Sequence, residues 1–150
     1  MSKNSIDILL VEDNLNDIKL TLHAFKKHDF VDVVQVVRDG EEALDYLFSR
    51  GNYEDRTAES DPRLVLLDLK LPKVHGLEVL KILKEDVRTR HIPIVILTSS
   101  SEEKDIDKSY DLGVNSFIQK PVDFDKFVEH TRVLGLYWLN INKGPLQAKS

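Results

Sequence analysis

Five polar groups in this 150-residue chain stand at the close of short apolar runs. "ILLVED" closes on Glu12 and Asp13, "LVLLD" on Asp68, "IVILT" on Thr98 and "SFIQK" on Lys120. Three acids, a hydroxyl and an amine make a readable chemical set. Close carboxylates repel, and a cation is needed to keep them ionised. Oxygen ligands with no His or Cys among them suit Mg²⁺, which takes one or two carboxylates and keeps waters for a phosphate. A carboxylate is also a nucleophile toward phosphorus. The phosphoryl group so formed needs positive charge and hydrogen-bond donors at its oxygens. Taken singly, Asp68 is as well explained by a solvated strand end or a helix cap. Whether the five groups act together depends on the elements that carry them.

Those elements alternate. "IDILLVE" reads as a strand over residues 6–12, and "LNDIKLTLHAFKK" as an amphipathic helix with Leu15, Ile18, Leu22 and Phe25 at spacings of three and four. "VDVVQVV" is a β-branched strand over 31–37. Asp39 and Glu42 form a capping-box start for a helix packing through Ala43, Leu44 and Leu47. "GNYEDRTAESDP", residues 51–62, is polar and aperiodic, a loop unusually long for a compact domain. Its acids Glu54, Asp55, Glu59 and Asp61 read most simply as solvated. "LVLL" is the third strand, followed by a helix over 77–85 burying Leu80 and Leu83. "IPIVILTSS" gives a strand over 94–98, and Ser100 with Glu103 a second capping box opening a helix over 102–112 that closes at Gly113. "SFIQ" is a short fifth strand, Lys120-Pro121 a turn, and Asp123 a cap for a last helix carrying Phe124, Phe127, Val128, Leu134 and Trp138.

Five strands alternating with five helices predict an α/β fold. Strands without polar alternation suit a doubly wound parallel sheet covered on both faces. In such a sheet the C-terminal strand ends share one edge, where ligands bind. The five polar groups therefore converge on one rim.

The set "VEDN", "LLDLKLP", "HG", "ILTS" and "FIQKP" resembles the receiver domain of two-component response regulators, over about residues 4–140. The resemblance implies a flavodoxin-like sheet with strand order 2-1-3-4-5 and Asp68 as the phosphoacceptor. It implies Mg²⁺ held by Asp13, Asp68 and the Lys70 backbone carbonyl, with Glu12 acting through water. It further implies Lys120 paired with the phosphoryl oxygens, a cis Lys120-Pro121 bond, Thr98 as the switch hydroxyl and Phe117 as the switch aromatic. The Lys70 side chain, beside the phosphoryl group, is expected to slow attack by water. The resemblance implies a sensor histidine kinase as partner. The long loop and "VLGLYWLNI" resemble the regulators paired with bacterial and cyanobacterial phytochrome kinases.

Composition fits this picture. Apolar residues make up 41% and charged residues 31%, which suits one soluble domain over 1–150. A net charge of −5 argues against nucleic-acid binding by bulk charge. No stretch approaches the roughly 18 apolar residues of a membrane span. The absence of cysteine excludes thiol catalysis and fits a reducing compartment, here the cytoplasm. Past Ile141 only nine residues remain, too few for an output domain, so output is expected through protein contacts. Leu134, Leu136, Tyr137, Trp138, Leu139 and Ile141 exceed what one helix face buries. Two readings stand: a helix end folded back on the domain, or an exposed patch joining a homodimer. The five histidines are scattered without metal-ligand spacing, and His75 has no assigned role.

Two enzyme-like alternatives share parts of the set. A haloacid dehalogenase-type phosphatase needs an acid two residues after its nucleophile, and Lys70 stands there. A flavin carrier needs a Ser/Thr/Gly-rich phosphate loop after the first strand, where acids stand instead. No catalysis beyond the chain's own phosphoryl transfer and hydrolysis is expected.

Overall fold

The uninterrupted apolar runs become strands covered on both sides. A computed structural model describes residues 6–26, 33–57 and 61–144. Strands β1 (Ile8–Val11), β3 (Leu64–Leu67) and β4 (Ile94–Thr98) are buried at every position. Strands β2 (Val34–Val37) and β5 (Ser116–Gln119) form the edges and are partly open. The sheet is wholly parallel, in the order β2-β1-β3-β4-β5. Residues 31 and 32 of the expected second strand, and residue 27 of the expected first helix, lie outside the described residues.

Five helices cover the sheet: α1 (Leu15–Lys26), α2 (Gly40–Leu47), α3 (Gly76–Glu85), α4 (Glu103–Asp111) and α5 (Phe124–Leu136). Side chains alternate between faces along each strand. Leu9, Val11, Val65, Leu67, Ile94 and Ile96 join one core with Ala43, Leu47, Leu80 and Leu83 of α2 and α3. Ile8, Leu10, Leu64, Leu66 and Val95 join the other with Ile18, Phe25 and Leu134 of α1 and α5. Each fully buried Leu, Ile or Val side chain contributes about 1.5–3 kcal/mol. This two-sided burial is why β1, β3 and β4 carry no polar residue before their ends.

Several caps follow the sequence. Asp39 accepts from Glu42 N at 2.7 Å, and the Glu42 carboxylate accepts from Arg38 N at 3.0 Å. Asp123 caps α5, and Gly113 (φ +98°) follows α4. His75 is the N-cap of α3, its Nδ1 accepting from Leu77 N at 3.1 Å. The Ser100–Glu103 capping box does not form. Helix α4 starts only at Glu103, which leaves Ser100 too far upstream to cap it. The Ser100 hydroxyl donates instead to Asp105 Oδ2 at 2.6 Å.

The long loop is partly built in. A 3-10 turn at Gly51–Tyr53 brings the Tyr53 hydroxyl to Glu42 Oε2 at 2.7 Å. Arg56 lies 4.4 Å from the Tyr46 ring centroid and donates to the carbonyls of Tyr46 and Leu47. It also pairs with Asp61 at 2.9 Å. Asp61 is therefore not solvated: a nearly buried guanidinium needs a counter-charge, and this carboxylate supplies it. Glu54 and Asp55 are exposed as expected, and Glu59 lies outside the described residues.

Helix α5 runs on into a π-helical turn, Tyr137–Ile141. Leu134 and Leu139 are buried, Trp138 packs on the α1–α5 core, and the Leu139 carbonyl accepts from the Arg63 guanidinium. Most of the C-terminal apolar group thus folds back. Of that group Tyr137 and Ile141 stay exposed, at 44% and 58%, and Val133, outside it, is exposed at 47%.

Gly76 fixes where α3 meets the end of β3. A Cβ there would stand 2.4 Å from the Asp68 carbonyl oxygen and 2.5 Å from Leu69 Cα, against backbone that cannot swing away. Gly76→Ala is expected to destabilise by about 1–3 kcal/mol, the usual cost of overpacking. A lower urea midpoint at unchanged slope is the measurement; an unchanged midpoint would show that the end of β3 can yield.

Candidate functional site

Ladder hydrogen bonds carry each strand end to the same rim. Glu12 N donates to Val37 O at 3.1 Å, Asp68 N to Val11 O at 3.1 Å, and Lys120 N to Thr98 O at 2.7 Å. Each polar residue therefore sits one step beyond its strand on backbone that its neighbour fixes.

Lys120 draws the site together. Its Nζ lies 2.6 Å from Glu12 Oε1, 2.7 Å from Asp17 Oδ2 and 3.7 Å from Asp68 Oδ2. The Asp68 Oδ1 atom accepts from Leu69 N at 2.8 Å, and Glu12 Oε2 from Asn14 N at 3.1 Å. Glu12 is 3% exposed. Its carboxyl is pushed up to about 7: burial and the charge of Asp68 raise it by more than the Lys120 ammonium lowers it. For Lys120, burial acts downward. The charge of Asp68 and the hydrogen bonds to Asp17 and Glu12 outweigh it and raise the value.

The expected residues do not all converge. Glu12, Asp68 and Lys120 are in one cluster. Asp13 stands half exposed, its carbonyl accepting from Arg38 Nη2 at 2.9 Å and its carboxylate 3.9 Å from the same nitrogen. The Thr98 hydroxyl is fully buried and accepts from Ser100 N at 3.4 Å. Phe117 is partly buried against the α2–α3 core. Lys70 is exposed, and its carbonyl accepts no hydrogen bond from any described residue. The Lys120-Pro121 bond is trans, not cis as expected; no cis peptide occurs among the described residues. Trans is the lower isomer of an X–Pro bond by about 0.5–1 kcal/mol.

Asp17 is the residue that reading the strand ends missed. It lies in the first turn of α1, where Asn14 Oδ1 accepts from its N–H at 3.0 Å. Its one signal was an acid in the turn directly after the Glu12-Asp13 pair.

Among the described residues, no three His, Asp or Glu side chains are grouped to enclose a metal ion as they stand. The Lys120 ammonium supplies the neutralising charge between Glu12, Asp17 and Asp68. The donor types nonetheless suit a hard divalent ion. Asp13 offers a half-exposed carboxylate, Asp68 Oδ2 is engaged only at 3.7 Å, and the Lys70 carbonyl has a free lone pair.

The chain is similar in sequence and fold to several known proteins. A family model described as "Response regulator receiver domain" matches residues 8–132. A probable methanogenesis regulatory protein, FilR2 of Methanothrix harundinacea, is 41% identical over 138 residues, spanning 92% of this chain and 86% of that protein. The manganese-bound form of response regulator Rcp1, a protein of Synechocystis, superposes with a TM-score of 0.87 at 34% identity, covering 94% of this chain and 99% of the other. The phosphorylated cyanobacterial phytochrome response regulator RcpA gives 0.88 at 39% identity, covering 95% and 99%.

The buried acid has a pH signature. A group whose folded pKa is raised stabilises fully below its unfolded value, and that stability is lost as pH rises through the folded value. For Glu12 the window runs from about 4.5 to about 7. Metal-free wild type should therefore lose about 3 kcal/mol across it relative to Glu12→Gln. Urea melts of both proteins in chelator at pH 5, 6 and 7.5 measure the difference; parallel curves would show that Glu12 ionises at no cost.

Proposed function

The chain belongs to the response regulator receiver domain family, and on that premise we propose that it is the phosphoacceptor of a two-component phosphorelay, charged by a sensor histidine kinase on Asp68. The observation that carries this is a single arrangement. An all-buried strand delivers Asp68 to within 3.7 Å of a buried ammonium, while one carboxylate oxygen is tied to backbone.

Asp68 Oδ2 attacks the phosphorus of a phosphohistidine. The new O–P bond forms as the P–N bond breaks, and the imidazole nitrogen keeps the electron pair. Lys120 turns to the phosphoryl oxygens, which carry more charge than the carboxylate they replace. Asp13, Asp68 and the Lys70 carbonyl would hold Mg²⁺ directly and Glu12 through water; when bound, the ion neutralises charge developing on the phosphoryl oxygens. The manganese-bound relative supports a divalent ion here. Thr98 exchanges its bond from Ser100 N for one to a phosphoryl oxygen, and Phe117 follows into the vacated space. The face made by α4, β5 and α5 changes as a result. The Lys70 side chain shields the phosphoryl group from water.

Similarity to a phytochrome response regulator supports a kinase of the phytochrome type as the donor. Among the described residues, no helix is long and apolar enough to cross a membrane, which fits a place in the cytoplasm. Output runs through protein contacts without nucleic acid, and the chain performs no catalysis beyond its own phosphorylation and dephosphorylation. Val133, Tyr137 and Ile141, at successive four-residue steps on the exposed side of the C-terminal helix, join two copies in a homodimer.

With Mg²⁺ and acetyl phosphate, intact mass should rise by one phosphoryl group in wild type and stay constant in Asp68→Asn; a wild type that gains nothing sinks the reading. Sedimentation at tens of micromolar should find a dimer that Tyr137→Glu converts to monomer. A monomeric wild type, with and without phosphoryl analogue, removes the dimer.

A further inference from the structure

Lys120 has three N–H donors, and two are spent at hydrogen-bond distance on Glu12 and Asp17. The contact to Asp68, at 3.7 Å, is an ion pair beyond hydrogen-bond reach. The ammonium is thus held on the α1 side of the site. A phosphoryl group on Asp68 adds negative charge, and Lys120 must then give up one of its close partners.

Exposure decides which one. The Glu12 side chain is 4% exposed and that of Asp17 27%. Glu12 without its ammonium would be a buried, uncompensated charge, which is costly. Asp17 without it is hydrated by water. It also sits in the first turn of α1, where the helix dipole favours an anion. The turn itself is rigid. Asn14 caps the Asp17 N–H, and the Asp17 carbonyl accepts from the Thr21 hydroxyl at 2.7 Å. Asp17 can therefore hold Lys120 and release it without moving its backbone.

We propose that Asp17 is a positioning residue that draws Lys120 away from Asp68 in the resting state and sets how readily the phosphoryl state forms. The inference rests on the reading of Asp68 as phosphoacceptor. In the resting state the 2.7 Å bond competes with the phosphoryl group for one ammonium. Removing the charge of Asp17 while keeping its shape frees Lys120 for Asp68 and weakens the resting state relative to the phosphorylated one.

The test is the affinity of the Mg²⁺-saturated protein for beryllofluoride, an acyl-phosphate mimic, measured by calorimetry. Asp17→Asn should bind it about fivefold or more tightly than wild type, the scale of a partly buried charged hydrogen bond. Asp17→Ser, suited to a first helical turn, should tighten it likewise if the Asn variant folds poorly. Asp17→Glu should return to the wild-type value. A role confined to structure loosens binding or leaves it alone, and either result in both neutral variants overturns the inference. The underlying reading fails separately. If wild type binds no beryllofluoride, both fall together. If wild type binds, Asp68→Asn does not, and Asp17→Asn matches wild type, only the role of Asp17 falls.

Discussion

One ammonium among three carboxylates is the constraint on which the rest of the site depends. Lys120 comes from β5 and Glu12 from β1, with two strands between them in the sheet. Asp68 ends one of those strands, and Asp17 reaches in from α1. The cluster is no device for stability, because taking these charges from water costs about as much as pairing them returns. The burial of Glu12 makes this plain: its carboxyl is pushed up to about 7 even with an ammonium at 2.6 Å. What the cluster gains is readiness. In the proposed reaction, phosphoryl charge added at Asp68 competes for the one ammonium the site holds.

The fold turns that balance into fixed geometry. Parallel pairing carries every strand end to one edge, and burial on both faces leaves the strands no freedom to shift register. The loop after β3 is pinned from two sides. Gly40 N donates to Pro72 O at 3.2 Å at the start of α2, and Gly76 lets α3 close on the backbone of Asp68. The carboxylate is thereby held on its own backbone, with Leu69 N orienting one oxygen. Charge balance at the rim is adjustable because its mount is not.

The sheet and its rim were legible because both follow from local signals. Apolar runs of four or five residues without polar alternation mark strands buried twice, and the residue after each run must lie at the edge. Strand order came from resemblance, since nothing in a run such as "LVLL" says which strand lies beside it. Three pairings that the sequence left unread share one cause. Asp17 pairs with a lysine 103 positions away, Arg56 recruits Asp61 from a polar loop, and Leu139 docks through Arg63. Each is a side-chain choice among several acceptors made by three-dimensional proximity, to which periodicity is blind. Ser100 failed differently: its local pattern fits a cap, but the chain starts the helix later and gives the hydroxyl to Asp105.

That displaced serine bears on where a change at the rim goes. Helix α4 buries only Ser109, whereas α2 and α3 each bury several residues against the sheet. It is the helix least held by apolar contact, the kind of element that moves at small cost. Its head is joined to the site by two bonds, Ser100 N to Thr98 Oγ1 at 3.4 Å and Ser100 Oγ to Asp105 Oδ2 at 2.6 Å. Its tail is anchored by Val114 in the core and by Asn115, which takes Lys84 Nζ and Ile94 N at 2.9 and 2.8 Å. The first bond in that head linkage is long and the second short. A threonine that finds a better partner at the rim gives up the weak one, and the serine, still fastened to Asp105, stays with the helix. The polar rim is thus tied through one residue, Ser100, to the helix that buries least against the sheet.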